Sequence, residues 1–127
     1  MTSEELINKY IGRPFVEDSF DCFDLVVLWF KDLGHEIPDY RHARYWEGEP
    51  MDLEQYFKLW RKIEQDEKVQ SNDVVFTTDG DRIHIGIVIE KGTYIHCMRR
   101  EGVVRTQIKR HSRLIKGFYR LRALENG

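Results

Sequence analysis

The chain has 127 residues and 15.3 kDa, and its 20 Lys and Arg stand against 22 Asp and Glu, a formal charge of −2. That length predicts one domain over residues 1–127, large enough to bury a core without a disulfide or metal, and two cysteines are too few for a disulfide scaffold. The near-neutral balance argues against a dedicated nucleic-acid binder, and the 41% hydrophobic share argues against a disordered chain.

The charge is unevenly spread: residues 1–70 carry 9 basic and 16 acidic side chains, residues 71–127 carry 11 and 6. A basic face for an anionic partner is one reading. Two solvated faces that complement each other inside one fold is the simpler one. No segment approaches the roughly 18 apolar residues that span a bilayer. The acidic start Met1-Thr2-Ser3-Glu4-Glu5 lacks the apolar run of a secretory signal. The expectation is a chain made in the cytoplasm, with no membrane partner.

The first predicted helix begins at a capping-box spacing, Thr2 to Glu5, and carries the apolar stripe Leu6, Ile7, Tyr10 and Ile11. Gly12-Arg13-Pro14 ends it. Asp21 is placed to cap a second helix, whose stripe Cys22, Leu25, Val26, Trp29 and Leu33 follows one helical face to a stop at Gly34. Cys22 therefore falls in the first turn, at the inward edge. Residues 39–50 read as loop, Pro38 being a break before them. Asp52 with Gln55 predicts a third helix buried through Leu53, Tyr56, Phe57, Trp60 and Ile63.

After Gln70 the period becomes two. Asp73–Thr77, Ile83–Ile89, Thr93–Met98, Gly102–Gln107 and Gly117–Arg122 read as strands, with turns at Asp79-Gly80, Lys91-Gly92 and Glu101-Gly102. Helices first and a short-turned antiparallel sheet of about five strands second make an α+β fold. His84 and His96 interrupt otherwise apolar strands. A register that sets Gly86 opposite His96 brings the two imidazoles diagonally onto one face, roughly 7–8 Å apart by Cα. A two- or four-residue turn would send them to opposite faces.

A cysteine at a helix N-terminus is a candidate nucleophile, because the dipole and free N–H groups favour its thiolate. A nearby histidine supplies a general base, and a second polar group fixes its tautomer. The Cys22 backbone N–H is available to an oxyanion. Cys22, His84 and His96 are thus candidate nucleophile, base and orienting group. Equally, cysteines are commonly buried as small hydrophobes and strand histidines are commonly core residues, so spacing alone leaves both roles open. Cys97 points by parity to the opposite strand face and reads as a packing thiol. A zinc site from Cys22, His84, His96 and Cys97 lacks the usual paired spacing, so no metal is expected. His35, His42 and His111 fall in predicted loops with no assigned role.

These runs resemble the NlpC/P60 cysteine peptidases. Phe20-Asp21-Cys22-Phe23-Asp24-Leu25-Val26 resembles the family's nucleophile motif, and Asn72-Asp73-Val74-Val75-Phe76 its G-D-hydrophobic strand. His84-Ile85-Gly86-Ile87-Val88-Ile89 is similar to the strand bearing the base, and Tyr94-Ile95-His96-Cys97 to the strand bearing the orienting histidine. Ile37-Pro38-Asp39-Tyr40 and Ile115-Lys116-Gly117-Phe118-Tyr119-Arg120 look like the phage-tail-associated branch. The resemblance runs from about Tyr10 to Arg122. It implies a papain-like fold, hydrolysis of peptidoglycan stem peptides at a D-γ-glutamyl–diamino acid bond, and no cofactor. It also implies a peptidoglycan peptide as partner, with phage tail-tip proteins and delivery to the wall on a tail or after lysis. Asp24 stands where the family has glycine, and Phe15 where it has a site tyrosine. Phe15, Glu17, Asp18 and Asp21 border the nucleophile and are the candidate substrate-side residues. Glu17 and Asp18 either select a cationic amine or form a solvated loop. A wall-binding or structural tail-tip module, and an amidase or acyltransferase, are the rival functions.

Overall fold

The computed structural model describes residues 2–37, 58–79, 82–90 and 92–125. Helix α1 spans Ser3–Tyr10, and the Thr2 hydroxyl caps it by accepting from the Glu5 amide at 3.1 Å. Leu6 and Tyr10 are buried, whereas Ile11, at the end of the predicted stripe, lies in solvent. Tyr10 donates to Asp32 at 2.5 Å and Lys9 reaches the same carboxylate at 2.8 Å, tying α1 to the end of the next helix.

That helix, α2, spans Cys22–Asp32. Asp21 accepts from the Phe23 and Asp24 amides at 2.9 and 3.1 Å, and Asp24 accepts in return from the Asp21 amide at 2.9 Å. This reciprocal box satisfies the free amides of the first turn and fixes where Cys22 begins the helix. Cys22, Leu25, Val26 and Trp29 are buried as the stripe predicts, and Phe23 and Phe30 join them. Gly34, at φ +90°, ends the helix in the left-handed conformation that glycine takes freely.

Six antiparallel strands follow: β1 Trp60–Lys62, β2 Val74–Asp79, β3 Arg82–Ile89, β4 Thr93–Met98, β5 Gly102–Gln107 and β6 Ile115–Leu121. Their order in the sheet is β1-β6-β2-β3-β4-β5. The five predicted strands lie within two residues of β2 to β6 at each end. The sixth corrects the predicted third helix. Helical backbone is present at Lys58 and Leu59, but Trp60–Lys62 is a strand paired with Leu121, Arg120 and Tyr119. Trp60 there packs edge-on against Phe30 at 5.5 Å, and the Ile63 amide donates to Phe118 O at 2.9 Å. Pairing with a distant strand overrides the helical i, i+3 spacing of Trp60 and Ile63, Ile63 lying just beyond the end of β1. The predicted loop 39–50, the helix start Asp52 with Gln55, and Leu53, Tyr56 and Phe57 lie outside the described residues, as do Pro38 to Tyr40, His42, Gly80 and Lys91.

Helix α2 packs across β3 and β4. Leu25, Val26, Trp29 and Phe30 meet Ile85, Ile87, Ile89, Ile95 and Cys97 in the main core. Val75, Val88 and Tyr94 form a second cluster on the other face of the sheet, flanked by Ile108 from a 3-10 turn, Ile108–His111. Two ties place α2 on the sheet. Trp29 Nε1 donates to Asn72 Oδ1 at 2.9 Å just before β2. The segment ahead of α2 joins the start of β5, with Gly12 N to Val103 O and Val103 N to Arg13 O both at 2.9 Å. Asp73, buried at the start of β2, is gripped by Arg120 of β6 through Nε at 2.8 Å and Nη2 at 3.0 Å. Among the described residues no helix is long and apolar enough to cross a membrane.

Candidate active site

The β3–β4 ladder pairs Ile89 with Thr93, Val88 with Tyr94 and Ile87 with Ile95. Extended by one residue, this register sets Gly86 opposite His96, the pairing that places both histidines on one face. A Cβ on Gly86 would meet Ile95 O at 2.7 Å, Tyr94 Cδ2 at 2.8 Å and His96 Cβ at 3.2 Å. The bare backbone at Gly86 therefore lets the His96 ring lie down toward His84. His84 Nε2 and His96 Nδ1 are 2.6 Å apart, with ring centroids at 4.9 Å.

His96 is almost fully enclosed, at 2% exposure. Its ring lies 4.6 Å from the Tyr94 ring, and its far nitrogen, Nε2, is 2.9 Å from Thr106 Oγ1 on β5. Burial pushes its pKa down to about 3, and the neighbouring His84 and His111 push the same way. His96 is therefore a neutral imidazole across the physiological range. Thr106 pairs with Tyr94 across the β4–β5 ladder, which puts it diagonal to His96. The sequence carried the signal for this contact: a three-residue turn at 99–101 fixes the register, and parity places Thr106 on the histidine face. His111, predicted to have no role, stands on the 3-10 turn with its Nδ1 at 2.6 Å from the Tyr94 hydroxyl. Burial raises that phenol to about 12, so it stays protonated.

Cys22 begins α2 against β3, in the main core with Ile85 and Cys97. Burial pushes its thiol up to about 12. The Ile85 backbone amide pulls it down, and the Asp21 and Cys97 side chains push it further up. The expected thiolate thus gives way to a neutral thiol in the free protein. Desolvation outweighs the helix dipole, and the Asp21 carboxylate occupies the same positive end. The sulfur faces the peptide next to His84. No hydrogen bond between Cys22 and His84 is found among the described residues, whereas His84 and His96 are in direct contact.

Cys97 is buried in the main core and raised to about 11 by that burial, and strand parity sets it on the face opposite His96. Among the described residues no cluster of three or more His, Cys, Asp or Glu side chains is placed to hold a metal. Of the candidate substrate-side residues, Glu17 and Asp18 lie exposed in a turn closed by the Val16–Phe20 bridge, Asp18 at φ +66°. Phe15 is half-buried, with the Arg99 guanidinium 5.7 Å from its ring centre. The Asp21 carboxylate takes part in the helix cap.

Comparison with known proteins agrees with this architecture. The NlpC/P60 family model matches residues 10–120. The crystal structure of the NlpC/p60 domain of peptidoglycan hydrolase SagA superposes with a TM-score of 0.62 at 17% identity, covering 93% of this chain and 95% of that one. A lipoprotein-like NLP/P60 family protein from Staphylococcus aureus subsp. aureus Mu50 gives 0.62 at 20% identity, covering 95% of this chain and 42% of that longer one. Among curated proteins no match was found. The family match over residues 10–120, with helices on an antiparallel sheet like those neighbours, shows that this chain belongs to the NlpC/P60 family.

Proposed function

We propose that the chain is a cysteine hydrolase of peptidoglycan stem peptides, cutting the D-γ-glutamyl–diamino acid bond. The observation that carries the reading is the His84–His96 pair at 2.6 Å, one residue from the Ile85 amide that faces the Cys22 sulfur. SagA, a fold neighbour, is described as a peptidoglycan hydrolase, and this supports the substrate class.

In this mechanism His84 takes the Cys22 proton as the sulfur attacks the scissile carbonyl. A neutral resting thiol suits this order, since the proton leaves only when substrate is present. The Cys22 backbone N–H steadies the oxyanion. His84 then gives its proton to the departing amine, leaving a thioester on Cys22. Water attacks that thioester with His84 as base, which frees the acid product and restores the thiol. His96 holds the His84 ring.

The runs around Ile37 and Ile115–Arg120 support a phage-tail association, with delivery to the wall on a tail or after lysis. Incubation with purified muropeptides tests the activity: the parent releases the diamino-acid fragment, and Cys22→Ala with an unchanged fold does not. Cys97→Ala retains cleavage. Muropeptide binding without cleavage would point instead to a wall-binding module, and turnover only of simple amides or esters to an amidase or acyltransferase.

A further inference from the structure

The outer face of the sheet carries a chain of contacts that the hydrolase reading uses only in part: His84 Nε2 to His96 Nδ1 at 2.6 Å, then His96 Nε2 to Thr106 Oγ1 at 2.9 Å. We infer that Thr106 is a positioning residue: its hydroxyl accepts from His96 Nε2–H and so holds His96 in the tautomer whose Nδ1 accepts from His84 Nε2–H.

A neutral imidazole has one N–H and one lone pair, so the series can run in only two directions. Run outward, His84 Nε2–H donates to His96 Nδ1, His96 Nε2–H donates to Thr106, and His84 Nδ1 keeps a lone pair. Run inward, Thr106 O–H donates to His96 Nε2, His96 Nδ1–H donates to His84 Nε2, and His84 Nδ1 carries the proton. Only the outward series leaves His84 a base, and on this point the inference rests on the hydrolase reading. The outward series also uses the Nε2–H form, which free histidine prefers. His96 has no room to change its contacts, being enclosed by Tyr94, His84 and the backbone at Gly86. The hydroxyl is equally fixed, because Thr106 sits within the β4–β5 ladder and a β-branched side chain is stiff at χ1. A conserved shape without the hydroxyl would leave the second ring nitrogen of a buried histidine without a partner.

The test is two-bond 1H–15N correlation of the imidazole rings at pH 7 in the parent, Thr106→Val and Thr106→Ser, beside muropeptide turnover. The parent is expected to show His96 protonated on Nε2. Thr106→Val is expected to mix the tautomers and lower kcat/KM roughly 10- to 100-fold, the range expected when a buried polar group loses its partner. Thr106→Ser restores both readings. A His96 proton on Nδ1 in the parent, or an unchanged tautomer in a folded Thr106→Val, overturns the inference. The parent spectrum decides the first point even if the valine variant does not fold. Should Cys22→Ala keep full cleavage while the tautomer still follows Thr106, the hydrolase reading fails and the hydrogen-bond assignment stands.

Discussion

Gly86→Ala tests the packing beneath the histidine pair, and its sign is informative. In an ordinary strand, alanine for glycine stabilises by about 0.4–1 kcal/mol, because the unfolded chain has less freedom to lose. Here the new methyl would sit 2.7 Å from Ile95 O and 2.8 Å from Tyr94 Cδ2. The first is backbone held in the β4 ladder, so relief requires β3 and β4 to part rather than a side chain to turn. Overpacking of this kind costs about 1–3 kcal/mol, and loss of the His84–His96 hydrogen bond about 1 kcal/mol more. The net expectation is a loss of about 2–3 kcal/mol in urea unfolding. Turnover should fall roughly 100-fold, since about 1 Å of misplacement at a catalytic group has that effect. An alanine variant as stable as the parent, with activity intact, would refute the claim that bare backbone at Gly86 is what admits His96.

Three further outcomes follow from the electrostatics. His96 is held near pKa 3 when folded and takes up a proton near 6.5 when unfolded, so stability is greatest above about 6.5 and declines as pH falls toward 3. Between pH 6 and 5 its share of the slope is up to about 1.4 kcal/mol per pH unit. Urea unfolding of His96→Asn should be flatter there, and an unchanged slope would exclude a buried neutral histidine. With the Cys22 thiol pushed up to about 12, iodoacetamide should modify it slowly, at a rate rising about tenfold per pH unit through neutrality. A plateau below pH 7 would instead indicate a resting thiolate–imidazolium pair. Asp73→Asn breaks the buried pair with Arg120 and should cost about 3 kcal/mol or more in the same unfolding assay. A loss under about 1 kcal/mol would show that the pair does not hold β2 to β6.

The elements nearest the candidate site were the most legible. Alternation along residues 83–98 shows that an odd-length turn puts His84 and His96 on one face, but the turn length itself comes from the β3–β4 ladder. The cap at Asp21 and the stripe through Trp29 placed Cys22 at the start of α2. Strand β1 is hidden because Trp60 and Ile63 are spaced for a helix, while the strand is set by pairing with β6, a partner about 60 residues away. Thr106 was passed over because a threonine in a strand needs no special explanation until its neighbour is known to be a buried histidine. The state of the thiol is illegible for a related reason: a helix N-terminus is visible in sequence, whereas the depth to which the sheet buries that terminus is not.

The most direct test of a Cys22 nucleophile is capture of the thioester. The protein is mixed with muropeptide, quenched in acid within a turnover, digested and analysed by mass spectrometry. The account predicts the acyl fragment on the peptide that contains Cys22, no adduct on the peptide that contains Cys97, and neither adduct nor cleavage in Cys22→Ala. Cleavage that continues in Cys22→Ala, with Cys22 unmodified in the parent, would contradict it.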